Sequence, residues 1–416
     1  MNSSAPRHVA VIGAGIVGVA AALYLQRDGH RVTLIERQGP GEGASKGNAS
    51  VIAAESCVPV ATPGILARVP GMLLDPLGPL AIRWAYLPKL TPWLWQFVRA
   101  SSPARVEAIS IALRALLVRA IDSYLPLLDS AGVADMLKRT GWLGVYESEA
   151  KFAAAQADLA LQRRRGVEFQ LLEPAEIRQL EPSLAPIYRH AVYYPENAYI
   201  TDNYRLVRVL AESLVRNGGA LLKEEARDFV FGATGPTHVI TDAGRHAVDA
   251  VVVAAGAWSK RLCARLGHRP LLDTERGYHV MFPEPGVMPR MPVYSGDHSF
   301  AVTPLSAGLR FAGTVELGGL AAPPNYARAE VLLERGRRMF PGLNETGRSQ
   351  WMGFRPSMPD SLPVISGSTR HANAFFAFGH GHLGLTLGAV TGRTIAALVA
   401  GRDPGLDMRP YAIDRF

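Results

Sequence analysis

The segment 8–18, HVAVIGAGIVG, constrains the fold of this chain more than any other. Five residues, 8–12, read as a buried parallel strand that stops at a glycine. Gly13, Ala14, Gly15, Ile16, Val17 and Gly18 then fit G-x-G-x-x-G at the entry to a helix predicted over 16–28. A second apolar strand, 31–36, closes on Glu36, with Arg37 beside it. The spacing is that of a βαβ unit of about 30 residues, the start of a doubly wound sheet. Gly13 permits the tight turn, Gly15 lets the backbone approach a pyrophosphate, and Gly18 lets the helix lie on the strand. The helix N-terminus offers unpaired N–H groups and a positive dipole end to phosphates. Glu36 is placed to accept hydrogen bonds from ribose hydroxyls and disfavours a 2′-phosphate, which argues against NADP.

FAD and NAD share this fingerprint, so the rest of the chain decides between them. Residues 43–50, GASKGNAS, are too small and polar for core. They read either as a surface loop or as a second backbone cradle along an extended cofactor. Residues 251–258, VVVAAGAW, repeat the strand-to-glycine pattern far downstream, and 379–384, GHGHLG, open the last helix. Four small-residue zones spread over the chain fit a dinucleotide buried lengthwise, hence FAD.

The chain has 416 residues, enough for two or three domains. Antiparallel-type strands are expected at 277–282, 298–303 and 309–315, between parallel-type pieces near both ends. Helices are expected at 106–130, 149–165, 202–217, 327–339 and 383–400. The expected fold is α/β: a Rossmann-like FAD-binding domain with a parallel sheet, interrupted by an α+β substrate domain with an antiparallel sheet. The FAD-binding domain takes 1–57, 192–265 and 345–416, and the substrate or cap domain takes 58–191 and 266–344.

Lys plus Arg number 44 against 36 Asp plus Glu, a formal charge of +8. The charges are scattered, with 163–165 the only tight run, which argues against nucleic acid as a partner. An anionic substrate or membrane surface suits so mild an excess. Cys57 and Cys263 lie far apart, so neither a disulfide framework nor a zinc site is expected. No secretory signal is read at the start, and no 18-residue window reads as a bilayer span; the nearest, 383–400, carries Arg393. The expected location is cytoplasmic, or peripheral on the inner face of the cell membrane.

The order and spacing of GAGIVG with Glu36, GASKGNAS, VVVAAGAWS, RGYHVMF, GFRPSMPDSLPVIS and GHGHLGLTLGA resemble the D-amino-acid oxidase-like flavoprotein family over nearly the full length. Within it the chain is most similar to bacterial D-amino-acid dehydrogenases, including through DPLGPLAIRWAYLPKLTPWLWQF. The resemblance implies FAD held without a covalent bond and oxidation of an amine beside a carboxylate. It implies FAD phosphates at Gly13–Gly18, adenosine ribose at Glu36, and Ala44, Ser45, Gly47 and Asn48 along the cofactor. Ala226 would meet adenine, Ala255 and Gly256 would pass beside the cofactor, and Gly379, His380, Gly381, His382 and Leu383 would lie under the flavin. The cysteine late in the chain that tethers flavin in sarcosine oxidases has no counterpart after Cys263.

The resemblance also implies that Arg355 holds a substrate carboxylate, which a guanidinium fork does through two parallel hydrogen bonds. A structural pairing of Arg355 with Asp360 is the bland reading. Tyr278, His279, His298 and Phe300 are the candidate pocket residues; Tyr278 and His279 alternate on one strand, so one of the two is expected to reach substrate. His380 and His382 lack an acid or cysteine nearby, and no metal is expected. The helix after them would turn its positive end to the flavin edge where negative charge collects on reduction. Residues 78–100 hold Trp84, Trp93 and Trp95 with three basic residues and no acid. That pattern suits an anionic membrane interface, and equally a buried wall or subunit contact. The reading reached is oxidation of a D-amino acid, D-proline and hydroxy-D-proline among the candidates, with electrons passing to a quinone or respiratory acceptor. The rivals are a glycine or sarcosine-type oxidase using oxygen, and a non-catalytic FAD-binding subunit.

Overall fold

The computed structural model describes residues 5–64 and 80–416. In chain order the elements used below begin with β1 (His8–Ile12), α1 (Ile16–Arg27), β2 (Arg31–Ile35), α2 (Leu87–Ala100), α3 (Pro103–Leu117) and α4 (Ala120–Ala131). They continue with β3 (Ala220–Leu222), β4 (Ala250–Val253), β5 (Asp273–Phe282), β6 (Phe300–Leu305) and β7 (Gly308–Leu317). Last come β8 (Ser349–Ser357), β9 (Val364–Gly367), β10 (Ala374–Phe378) and α5 (Gly384–Val399).

One sheet runs in the order β3-β2-β1-β4-β10-β9. All its pairings are parallel except that of the edge strand β9. β1 and β4 are apolar without alternation because both faces are covered, and Val9, Val11, Val251 and Val253 are fully buried. On one face α1 and α5 lie so close that a side chain at Gly392 would meet the backbone of Ala20 and Ala21 at 2.6–2.8 Å. The second sheet has nine strands, with β8-β5-β7-β6 antiparallel in succession. Alternation on β5 sorts its residues by face: Tyr278, Val280 and Phe282 enter an apolar core with Phe300 and Phe311. Asp273, Glu275, Gly277 and His279 therefore take the opposite face. One residue of β5, Gly277, stands opposite two of β7, Thr314 and Val315. That bulge holds Thr314 in the left-handed region, at φ 58°. The mixed α/β architecture agrees with the sequence reading.

Several boundaries differ. β8 pairs along its length with β5, so 349–357, expected in the FAD-binding domain, belongs with the antiparallel sheet. His190–Tyr194 likewise pairs with Trp142–Tyr146, across the boundary expected at 192. α3 and α4, expected in the cap, share one core with α1 and α5 through Ile109, Leu113, Tyr124 and Val19. The helix expected over 106–130 breaks at Val118 and Arg119, which turns α4 back onto α1, where Tyr24 Oη donates to Ser123 O at 2.6 Å. The run ending in α5 does reach a mean hydropathy of 1.2 over Gly381–Val399, contrary to the sequence reading, and 72% of that window is buried inside the protein. It is a core helix. Residues 65–79, which include the start of DPLGPLAIRWAYLPKLTPWLWQF, lie outside the described residues.

Candidate active site

A cavity of about 1130 Å³ runs from the N-terminus of α1 to the Asp273 face of β5. At its first end the β1–α1 turn is tight: Gly13 has φ 108°, and a Cβ there would meet Ala254 O at 2.5 Å. Gly15 is the N-cap and supplies no side chain, so the first-turn N–H groups face the cavity. Ile16 N is the exception and donates to Ser45 Oγ at 3.0 Å. Glu36 lines the same end, its carboxylate accepting from Ala14 N at 2.9 Å and Gln38 N at 3.1 Å. Arg37 lies over the Trp258 ring at 4.1 Å, beside Ala226, Ala255 and Gly256.

Residues 44–50 form the middle of the cavity wall, and the second sheet holds them. His279 Nδ1 bonds Gly47 O at 2.9 Å, Arg310 donates to Asn48 O at 2.7 Å, and Thr303 Oγ1 to Ala49 O at 2.7 Å. Gly47 packs under Trp351, whose ring a Cβ would meet at 2.2 Å. With its carbonyls consumed by these side chains, the segment is a built cradle and not a loose surface loop.

The far end is made by β5, β7 and β8. Glu275 and Arg355 are directly paired across β5 and β8, so both project to the cavity face. The Arg355 guanidinium lies across Gly277, where a Cβ would meet Nη2 at 2.2 Å. The bulge at Thr314 turns two successive carbonyls toward it: Arg355 donates to Thr314 O at 2.9 Å and Gly313 O at 3.4 Å. Arg355 forms no ion pair among the described residues. Burial lowers its pKa, while Glu275 opposes the shift. Asp360, its bland partner from sequence, is bound instead by Arg415 at 2.8 and 2.9 Å. Glu275 Oε1 accepts from Ser357 Oγ at 2.7 Å. Asp273 accepts from Tyr86 Oη at 3.1 Å; burial raises the Asp273 carboxyl and, with Asp273, pushes the Tyr86 phenol up to about 12. His382 opens into the cavity beside the start of α5, its pKa lowered by burial, which Glu275 opposes and Arg355 reinforces.

The expected site residues divide accordingly. Gly13, Gly15, Ile16, Val17, Glu36, Arg37, Ala44, Ser45, Gly47 and Asn48 line the cavity. So do Ala226, Ala255, Gly256, Phe300, Arg355, His380, Gly381, His382 and Leu383. Ala14, Gly18 and Gly379 support it from behind: a Cβ at Gly18 would meet Gly13 O at 1.9 Å, and one at Gly379 would meet Met358 at 2.6 Å. Three pocket expectations change. Tyr278 borders the cavity, but its phenol turns to the opposite face, where it donates to Glu316. His279 is on the cavity face but is spent beneath the cradle, stacked on Trp351 at 5.2 Å. Burial holds its pKa at about 3. His298 lies before β6 in a turn, 3.9 Å from Glu147, and does not line the cavity. The sequence reading missed Glu275, Asp273 and Tyr86; carrying β5 two residues back from Gly277 on the same face finds the first.

A family profile settles the cofactor class. That of the DAO family, described as FAD dependent oxidoreductase, matches residues 8–398. The chain belongs to this family. Among its DAO-like relatives, a protein of Bradyrhizobium diazoefficiens named D-amino-acid oxidase is 42% identical over 99% of each chain. One of Paramagnetospirillum magneticum named D-amino acid dehydrogenase is 30% identical over 98% of each. In fold the chain is similar to glycine oxidase from Geobacillus kaustophilus, with a TM-score of 0.73, 24% identity and coverage of 99% and 100%. It is also similar to L-proline dehydrogenase from P. horikoshii, with a TM-score of 0.74, 20% identity and coverage of 99% and 98%. The protein is thus an FAD-dependent oxidoreductase, and its residues fit FAD. A Cβ-free turn and uncapped helix start suit the pyrophosphate, Glu36 suits the ribose, and the elongated cavity suits a dinucleotide along its length.

Proposed function

We propose that the protein oxidises a small or cyclic D-amino acid, D-proline and hydroxy-D-proline included, at its Cα–N bond to the imino acid. The observation that carries the reading is Arg355: an enclosed guanidinium, two donors on the bulge carbonyls, facing the cavity without a carboxylate partner among the described residues. A substrate carboxylate completes it. Bound FAD supplies the acceptor for the two electrons that leave the substrate as hydride. Arg355 orients the substrate, Trp351 and Phe354 line the site with ring surface that keeps water out, and the N-terminus of α5 turns its positive end toward the cavity. His380, hydrogen-bonded to Thr391 at 2.9 Å with its pKa lowered to about 3 by burial, stays neutral there. Cys57 and Cys263 are both buried and neither lines the cavity, which supports FAD held without a covalent bond.

The D configuration rests on the names of the relatives. A quinone or respiratory acceptor, reached from the inner face of the cell membrane, is supported by Trp84 and Trp95, which are 67% and 63% exposed beside the basic residues of α2. Trp93, by contrast, is buried and donates to Ser357 O at 3.2 Å. The oxygen-using reading is favoured by the relative named an oxidase. The deciding experiment is anaerobic reduction of the bound flavin by matched D- and L-amino acids, followed by reoxidation with oxygen or a soluble quinone. Reduction by D-amino acids and fast reoxidation by quinone support the proposal. Preference for L-amino acids refutes the stereochemistry, and fast reoxidation by oxygen refutes the acceptor.

A further inference from the structure

We propose that Glu275 is the residue that recognises the substrate's ammonium group, so that Glu275 and Arg355 together form a clamp for a zwitterion. The proposal deepens the amino-acid reading and rests on it. The two side chains are direct partners across antiparallel strands, so they share a face and lie side by side at the end of the cavity. Arg355 is held back by Thr314 O and Gly313 O, and Glu275 by a single bond from Ser357, so the two charges act on each other through space but make no ion-pair contact among the described residues. Glu275 is 8% exposed, and its second oxygen has no hydrogen-bond partner among the described residues. That oxygen opens to the cavity Glu275 lines, where a cationic group of a ligand can reach it.

The other charged groups facing it do not fill that role. Arg355 is engaged by the bulge, Asp273 is an acid bound to Tyr86, and His382, exposed at the cavity, makes no ion pair with Glu275 among the described residues. An α-amino acid carries its two charged groups on one carbon, a carboxylate for Arg355 and an ammonium for Glu275. A 2-hydroxy acid or a 2-oxo acid presents only the first. It would leave Glu275 unpaired, so the clamp selects amino acids at binding and disfavours retention of the deaminated product.

The test uses two ligands of nearly the same shape that cannot be oxidised at Cα. 2-Aminoisobutyrate is a zwitterion without a Cα hydrogen, and pivalate replaces its ammonium by methyl. Calorimetric titration of the holoenzyme measures both, in wild type and in Glu275→Gln, with flavin absorbance as the check on folding. The wild type should bind 2-aminoisobutyrate roughly 10- to 100-fold more tightly than pivalate, the range for a charge-assisted hydrogen bond. Glu275→Gln should abolish that preference from both sides, weakening the zwitterion and strengthening pivalate. A variant that weakens both ligands alike would overturn the proposal and leave Glu275 a support for Arg355. A wild type that prefers pivalate would overturn it even if the variant fails to fold. A wild type reduced by no amino acid would remove the underlying reading itself, a failure seen separately in the flavin spectrum.

Discussion

Gly277→Ala isolates the carboxylate-holding geometry without touching Arg355. The added methyl would sit 2.2 Å from Arg355 Nη2 and 2.3 Å from Cζ. Non-bonded atoms settle near ~3.5 Å, so the guanidinium must move by roughly 1 Å. Position 277 faces the β7 bulge but is itself outside the left-handed region, so its backbone conformation admits alanine. The displaced atoms are the far end of a flexible side chain, which makes the change tolerable for folding and damaging for the site. The move breaks the bonds to Thr314 O and Gly313 O that aim the fork. A misplacement of ~1 Å costs up to about 100-fold where orientation is the main requirement. Stopped-flow flavin reduction under anaerobic conditions should therefore show kcat/KM for the best D-amino acid falling roughly 100-fold, with FAD content unchanged. Reduction by the corresponding decarboxylated amine should barely change. Gly353→Ala is the control: its methyl would press on Trp351 at 2.0 Å instead, and should spare the preference for acid over amine. If Gly277→Ala keeps that preference intact, Arg355 does not hold the carboxylate.

Arg355→Lys keeps the charge but loses the fork, and should lower reduction efficiency roughly 10- to 100-fold while FAD stays bound; an unchanged preference for acid over amine would count against the site. His279 and His380 are held neutral with pKa values near 3 by burial, against about 6.5 unfolded. Between those values the unfolded chain binds more protons, so stability falls as pH falls, by up to ~1.4 kcal/mol per pH unit for each ring. Holoenzyme melting followed from pH 7 to 5 should show a dropping midpoint, and a rising one would contradict the sign. Arg415→Ala strands the fully buried Asp360 carboxylate and should cost about 3–5 kcal/mol in chemical denaturation; a near-neutral effect would mean Asp360 finds another partner. Anionic vesicles should bind the protein weakly through Trp84, Trp95 and the basic residues of α2, with binding screened as salt rises; equal sedimentation with neutral vesicles would contradict this.

The nucleotide half was legible because its requirements are local. A parallel strand buried on both faces, a turn that tolerates no side chain and an acid at the next strand end all leave marks within 30 residues of chain, and β1, α1 and β2 form where those marks stand. The resemblance pointed to Arg355, which does line the cavity. The rest of the substrate end was not legible, because strand registry creates it. Nothing in the sequence near Glu275 says that Arg355, 80 positions away, is its cross-strand partner. Nor does Thr314 announce that a bulge will turn its carbonyl toward that arginine. The histidines illustrate the same gap: His279 and His298 look like pocket residues in sequence. One is consumed holding Gly47 and the other faces Glu147. The break at Val118 and Arg119 escaped notice because both flanking helices carry the same apolar periodicity.

The close crossing of α1 and α5 bears on how such a protein is made. The β1–α1 turn is translated well before α5, the helix that seats against Ala20 and Ala21. Until α5 emerges, the small apolar face of α1 around Ile16, Ala20 and Ala21 lacks that cover, and the end of the cavity lined by residues 377–386 does not yet exist. A nascent chain is thus half a cradle with a greasy flank, the kind of surface that aggregates or is shielded by chaperones. The complete cavity forms only once the residues before and at the start of α5 are in place, so a cofactor that fills its whole length is captured late.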